Sequence, residues 1–380
     1  MSFAFCGLFA QTETSFRSVS VDEFEKAISD TEMTVLDVRM PVEYKEGHLP
    51  GTDYNIDVLE DDFTQEALKV LPKEKTVALY CRSGNRSKKA ARILSENGYQ
   101  VIELATGFLG WYDAGKPVEK GFVVYDCLGY PGKPDLTDDG LSKIRLIYEF
   151  RLLSSGLIDK DKINACISEA NDAGVKAISI DIESWYWDKN YSNQSLKDSL
   201  QLVYDLFREG VPDAHIGNYG VPIGNVNIAR YVEGMEDKSD DEIMEVLHQN
   251  NNRLAAGEVS DVLYPSLYIY GPDIDQWIKD LKLTVDYIRK YYPQKKIVGY
   301  IWSQYYNWNT SPYYMQFISE DKFLKMLEAA YEYLDGVVLW AHGRDTDNKT
   351  YVRWDDERVQ AIYSAIKTFT TTHRITSADR

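Results

Sequence analysis

Lys75–Thr76–Val77–Ala78–Leu79–Tyr80–Cys81–Arg82–Ser83–Gly84–Asn85–Arg86–Ser87 opens as a strand and closes on a helix. Its first six residues are rich in the β-branched and aromatic types that fit a pleated, half-buried surface. From Ser87 to Asn97 the apolar spacing turns helical, and Gly98 stops it. A strand that runs through a short loop into a helix is the building unit of a parallel sheet. Such a loop aims several backbone N–H groups into one small hollow. A cysteine at the head of that hollow, with the helix dipole and Arg82 or Arg86 close by, stands where a sulfur anion is favoured. Buried structural cysteines are usually inert, but they rarely begin a Gly-containing, doubly basic loop. Cys81 is therefore a candidate nucleophile.

Elements of the same kind flank this stretch. Ser20–Val21–Asp22–Glu23–Phe24 reads as an N-cap opening a short helix to about Ser29. Thr34–Val35–Leu36–Asp37–Val38–Arg39 is a strand, and Val101–Leu104 is another. Strands alternating with helices at this spacing imply a small parallel sheet. Further back, Met1–Ala10 is apolar and uncharged, with Leu8–Phe9–Ala10 before Gln11. Residues 1–15 thus read as the end of a secretory leader whose basic start lies upstream, the alternative being a buried N-terminal strand. The leader implies a periplasmic or secreted protein. It leaves Cys81, Cys127 and Cys166, an odd number, so at least one thiol stays free.

Residues 16–120 resemble a single-domain rhodanese. The resemblance rests on Leu36–Asp37–Val38–Arg39, on Glu43–Tyr44 with Gly47–His48–Leu49–Pro50–Gly51, on the Cys81–Ser87 loop, and on Gly107 with Gly110–Trp111. The family's C-x-x-G-x-R pattern is met by Cys81, Gly84 and Arg86. Related phosphatases place that arginine one residue later around a larger loop, where this chain has Ser87. The spacing favours sulfur over phosphate. The resemblance implies a persulfide on Cys81, taken from thiosulfate or another sulfur donor and passed to a thiol or cyanide acceptor. Arg82, Ser83, Gly84, Asn85 and Arg86 would line the donor site, and Asp37 with Arg39 would brace the loop. No cofactor or metal is expected.

Beyond Lys120 the chain repeats strand and helix. Strand candidates are Phe122–Tyr125, Ile144–Tyr148, Ala177–Asp181, His215–Tyr219, Val262–Tyr268, Lys296–Trp302 and Gly336–Trp340. Seven such units over roughly 250 residues suggest a (β/α) barrel of the TIM type, one strand short of eight, spanning residues 121–367. The fold class is α/β throughout. In the segment 159–172, Ile163, Cys166, Ile167 and Ala170 make one apolar stripe, so Cys166 reads as core. The polar, Thr-rich residues 368–380 read as a frayed tail. The net charge of −18 argues against nucleic acid and against a bare anionic membrane surface. No segment approaches the ~20 apolar residues of a membrane span. The 28 tyrosines and 8 tryptophans suit sugar stacking as well as ordinary cores.

Chemistry in such barrels sits at the C-terminal ends of the strands. There Ile178–Ser179–Ile180–Asp181–Ile182–Glu183–Ser184–Trp185 ends in two carboxylates and a run of aromatics. Strand alternation puts Asp181 and Glu183 on one face, roughly 7 Å apart. Like charges so close should hold a proton on one of them. Tyr219, Tyr264 and Trp340 fall at or near the ends of other strands. This set resembles the hyaluronidase family of glycoside hydrolases: D-x-E-x-W at Asp181, Glu183 and Trp185, G-x-Y at Gly217 and Tyr219, L-Y-P-S-x-Y at Leu263–Tyr268, and Leu339–Trp340. The resemblance implies a retaining, substrate-assisted glycosidase acting on N-acetylhexosamine glycans. Glu183 would be general acid and base, and Asp181 would orient the acetamido nucleophile with help from Tyr219 and Tyr264. Trp340 would wall the sugar, with Trp185 and Tyr268 nearby. Chitinases would need Asp at the positions of Ser179 and Lys176. A sulfurtransferase carrying a non-catalytic carbohydrate-binding barrel is the alternative.

Overall fold

The computed structural model describes residues 16–377 except 31, 188–191, 233, 236, 250–252, 309–310, 374 and 376. The leader reading of residues 1–15 lies outside the described residues. The chain divides into two compact units, Met1–Gly121 and Phe122–Arg380.

The first unit alternates β1 (Arg17–Val19), α1 (Val21–Ile28), β2 (Met33–Asp37), α2 (Pro41–Glu46), β3 (Tyr54–Asn55), α3 (Phe63–Val70), β4 (Thr76–Tyr80), α4 (Asn85–Glu96), β5 (Val101–Leu104) and α5 (Gly107–Asp113). The strands make one sheet in the order β1-β5-β4-β2-β3, with every pairing parallel. Alternation along β4 sorts the core into two layers. Val77, Leu79 and Cys81 pack with α3 and α4 on one face, while Ala78 and Tyr80 pack with Phe24 and Trp111 on the other. Ser20 caps α1 with Glu23 closing the reciprocal bond, 3.0 Å from Glu23 Oε2 to the Ser20 amide. Two strands exceed the sequence expectation because β1 and β3 have three and two residues, too few to show a period. Helix α4 also begins two residues earlier than expected, since Gly84 takes φ +92° and turns the loop directly into it.

The second unit contains β6 (Val123–Leu128), β7 (Leu141–Lys143), β8 (Arg145–Tyr148), a short antiparallel hairpin of β9 (Leu153–Ser154) and β10 (Leu157–Ile158), then α6 (Lys160–Asp172), β11 (Ala177–Asp181), α7 (Ser184–Trp187), α8 (Asn193–Gly210), β12 (His215–Asn218), α9 (Val226–Val232), α10 (Asp240–Gln249), α11 (Leu254–Val259), β13 (Val262–Leu263), α12 (Ile274–Tyr291), β14 (Lys296–Trp302), α13 (Glu320–Tyr333), β15 (Gly336–Ala341) and α14 (Glu357–Thr372). Two parallel sheets result, β13-β14-β15-β6-β7 and β12-β11-β8. The expected strand Val262–Tyr268 shrinks to two residues plus isolated parallel bridges, Tyr219 to Tyr264 and Ser266 to Tyr300. Pro265 lacks the N–H that a continuous ladder needs there.

The tail reading needs correction. Helix α14 runs on to Thr372, because Phe369 is buried with its ring 5.7 Å from Phe122 and 5.9 Å from Tyr331. Burying one Phe is worth about 2–3 kcal/mol, enough to hold the last helical turn against a Thr-rich sequence. Among the described residues, no helix is long and apolar enough to cross a membrane.

Candidate active site

Cys81 is the first residue past β4, on the same face as Leu79, and is buried. The backbone N–H of Gly84 donates to its Sγ at 3.2 Å. Gly84 has no substitute here: a Cβ would stand 2.1 Å from the Ala105 carbonyl oxygen, at a φ that L side chains avoid. The start of α5 clamps the loop from behind, with Phe108 N–H on the Cys81 carbonyl at 2.7 Å and Leu109 N–H on that of Arg82 at 3.0 Å. With its carbonyls held there, the loop keeps Gly84 N–H turned inward at the sulfur.

Arg86 does not stand open to an incoming anion. Its guanidinium makes two bonds to Glu43, of 2.6 and 2.7 Å, tying α4 to α2. That pairing holds the Glu43 carboxyl below its ordinary range and the arginine above its own. Arg82, Ser83 and Asn85 are exposed at the mouth of the loop. Behind it, the buried Arg39 is bonded to both Asp37 carboxylate oxygens and to the Gly47 carbonyl, and lies 4.3 Å from the Phe108 ring centre. The pair thus ties the end of β2 to the Gly47 carbonyl and the Phe108 ring.

Sequence reasoning missed the polar chain beneath Cys81. Ser87 Oγ lies 3.3 Å from Sγ and donates to Glu103 Oε1 at 2.7 Å, while Ser18 donates to Glu103 Oε2 at 2.6 Å. Ser18 faces Glu103 across β1 and β5, and Leu79 faces it across β4. The signal was present, a lone charge inside the four buried residues of Val101–Leu104.

A rhodanese-like domain model matches residues 20–114. Thiosulfate sulfurtransferase PspE of Escherichia coli is 38% identical over 86 residues, 23% of this chain and 78% of that protein. The chain belongs to the rhodanese family. A sulfurtransferase of Allochromatium vinosum is 31% identical over 104 residues, 26% of this chain and 92% of its own length. The crystal structure of a rhodanese-related protein from Thermoplasma volcanium, 33% identical, covers 27% of this chain and 97% of that one, with a TM-score of 0.25. The family model stops at residue 114, so the second unit rests on its own geometry.

In that second unit Asp181 ends β11, and the carboxylates differ more than strand alternation allows. Burial lifts the Asp181 carboxyl to about 7, with the charges of Glu183 and Glu149 adding to it and Arg253 opposing. Its Oδ1 is buried without a hydrogen-bond partner. Glu183 lies past the strand, with a half-exposed side chain whose Oε1 is 3.7 Å from Arg253 Nη2. Tyr219 donates to Ser266 Oγ at 3.2 Å, and its ring centre is 6.1 Å from that of Tyr268, itself 5.5 Å from Trp340. Those three rings form one cluster in which Tyr268 is buried.

Two of the expected ligand residues are turned into the core. Tyr264 is fully buried, its ring lying over Gly217 where a Cβ would come within 2.8 Å of it. Trp185 is buried and donates its indole N–H to the Gly156 carbonyl at 3.3 Å. Beside Trp340 a cleft of about 410 Å³ is lined by Cys127, Lys133, Arg145, Tyr148 and His342 among others. Burial pushes the Cys127 thiol up to about 12, so it is no nucleophile at neutral pH. Arg253 and Glu149 went unnoticed in the sequence, since neither belongs to the strand-end pattern.

Proposed function

We propose that the first unit is a sulfurtransferase that carries sulfur as a persulfide on Cys81. The Cys81 thiolate attacks the outer sulfur of thiosulfate, a new S–S bond forms, and sulfite leaves with the electron pair of the broken bond. A thiol or cyanide then takes the terminal sulfur and releases the thiolate. The observation that carries this reading is the Gly84 N–H bond to Sγ in a loop pinned by α5, which supplies a fixed donor to a sulfur anion. Relatives named sulfurtransferases support it. Cys81→Ser should abolish thiocyanate release from thiosulfate and cyanide while the chain stays folded. Undiminished release by that variant overturns the assignment.

A second reading concerns the second unit, and one observation favours it: the buried, unpartnered Asp181 oxygen beside Glu183 and an aromatic wall. We read this unit as a (β/α) barrel. Support comes from β7 and β8, which flank Ile144, pair with β6 and β11 respectively, and so can act as one strand joining the two sheets. On this reading the strand ends take an N-acetylhexosamine glycan, with Glu183 as the solvent-facing proton donor and Asp181 as the buried group beside the acetamido nitrogen. Two carboxylates on one side cannot flank an anomeric carbon, so the nucleophile comes from the sugar itself. Chromophore release from an aryl N-acetylhexosaminide tests it. Binding without turnover would favour a carbohydrate-binding barrel. Export belongs to the same proposal and is tested by cell fractionation.

A further inference from the structure

We propose that Glu103, acting through Ser87, holds the proton that Cys81 must lose to become a nucleophile. The inference rests on the sulfur-carrier reading and adds to it a positioning residue two hydrogen bonds from the sulfur. Ser87 has one hydroxyl proton, and it points at Glu103 Oε1 at 2.7 Å. Its lone pairs are then what face Sγ at 3.3 Å, so in the resting protein the thiol S–H donates to Ser87. Glu103 is fully buried, bonded by two hydroxyls, with no ion pair among the described residues. Ser18 fixes its second oxygen and keeps the first aimed at Ser87.

The chain S–H to Ser87 to Glu103 is thus a closed path for one proton. The thiol proton moves to Ser87 Oγ while the Ser87 proton moves to Glu103 Oε1. The products are a thiolate, an intact serine now donating to that thiolate, and a neutral carboxylic acid. One negative charge is present before and after, and only its place changes. A buried site tolerates this better than creating a new charge, because no additional ion is desolvated. Cys81 and Glu103 are both shut off from solvent, so an internal acceptor also spares the thiol from needing a water or hydroxide to reach it.

Among the described residues, the charged groups recorded around this chain are Arg86, which feels the Cys81 sulfur, its partners Glu43 and Asp57, and the exposed Arg82 beside Cys81. They are common to wild type and variants, so a comparison isolates Glu103. Two groups that share one proton titrate as a pair, and the fraction with the proton on the carboxylate does not change with pH between the two steps. Wild-type Cys81 should therefore be alkylated by iodoacetamide at a rate that stays level, within about twofold, over more than one pH unit. In Glu103→Gln and in Ser87→Ala the path is cut, and the rate should fall about tenfold per pH unit below a single ionisation. Gln keeps the shape, its oxygen accepting from one hydroxyl and its NH2 donating to the oxygen of the other, and Ala at 87 removes one small side chain, so each variant checks the other if one folds poorly. Identical profiles in wild type and variants overturn the relay. Thiocyanate release by Cys81→Ser would instead overturn the sulfur-carrier reading beneath it, and that outcome does not depend on the alkylation profiles.

Discussion

Gly84→Ala asks whether the loop geometry matters as much as its cysteine. Two costs can be separated. The first is conformational, since Gly84 sits at φ +92° and an L side chain in the left-handed region costs roughly 1–2 kcal/mol. The second is steric. The added Cβ would lie 2.1 Å from the Ala105 carbonyl oxygen, and an ordinary carbon–oxygen contact is ~3.3 Å, so something must move by about 1 Å. Ala105 cannot easily yield, because its own N–H is bonded to the Val19 carbonyl at 3.0 Å, at the end of the β1–β5 ladder. The loop yields instead and takes the Gly84 N–H away from Cys81 Sγ. Strain and lost contacts together should cost about 2–4 kcal/mol. At ~4–8 °C per kcal/mol for a domain of this size, the Tm of the first unit falls by at least ~8 °C. A displacement of ~1 Å at the reacting atom should lower sulfur transfer about 10²-fold.

Gly98→Ala is the matched control. It has φ +82°, and nothing lies within 4 Å of its added Cβ. It should show only the conformational cost, about 1–2 kcal/mol, with thiocyanate production unchanged. The assay pairs thermal unfolding of the whole chain, with the two units' transitions resolved, and thiosulfate:cyanide kinetics on the folded variants. Equal Tm losses and equal activities in the two variants would falsify the steric argument.

Three further outcomes are expected. In the second unit, Asp181 is held at about 7 when folded against an ordinary 3.8, so its contribution to stability is full below about pH 4 and disappears as pH rises through about 7. Three units correspond to about 4 kcal/mol, hence Asp181→Asn should match wild type near pH 4 and exceed it by up to that amount at pH 8; parallel denaturant-midpoint curves across this range would count against the burial argument. Arg230→Met strands the buried Asp280, which the Arg230 guanidinium meets at 2.8 Å, and should cost ~3–5 kcal/mol in chemical unfolding; a loss below ~1 kcal/mol would show the pair to be idle. Glu183→Gln should lower hydrolysis of N-acetylhexosaminides with poor leaving groups by roughly 10²–10⁴ and spare dinitrophenyl glycosides, whereas equal losses on both would remove Glu183 as proton donor.

The first unit was legible because each device in it is local. Gly84, the helix start and Cys81 lie within four residues, and strand, loop and helix follow one another without a break. What escaped notice depends on pairing across strands. Glu103 gains meaning only when β5 lies between β1 and β4, bringing Ser18 and the Cys81 loop to it from two sides. In the second unit, Asp181, Tyr219 and Trp340 stand at or near strand ends as the pattern implies, while Tyr264 and Trp185 are buried. A strand-end tyrosine can point outward to a ligand or inward to the core. Gly217 decides it, since the side chain it lacks leaves room for the Tyr264 ring on the neighbouring strand. Trp185 is decided by the Gly156 turn, whose carbonyl takes its N–H from 29 residues away.

The buried carboxylates show how the two candidate centres differ from their surroundings. Asp37 and Asp280 are both buried, and each meets a guanidinium at hydrogen-bond distance, Arg39 at 2.6 Å and Arg230 at 2.8 Å. A cation so placed compensates the buried charge, and such a pair acts as a brace. Glu103 is equally buried yet is held by two hydroxyls, and Asp181 leaves one buried oxygen unbonded with Arg253 acting only through space. An uncompensated buried carboxylate costs several kcal/mol as an anion, a cost that a protein escapes by keeping the proton or by moving the charge elsewhere. Glu103 has somewhere to move it, along Ser87 to the sulfur. Asp181 has no such chain among the described residues, and so keeps its proton up to about pH 7 and can offer it only to what binds beside it.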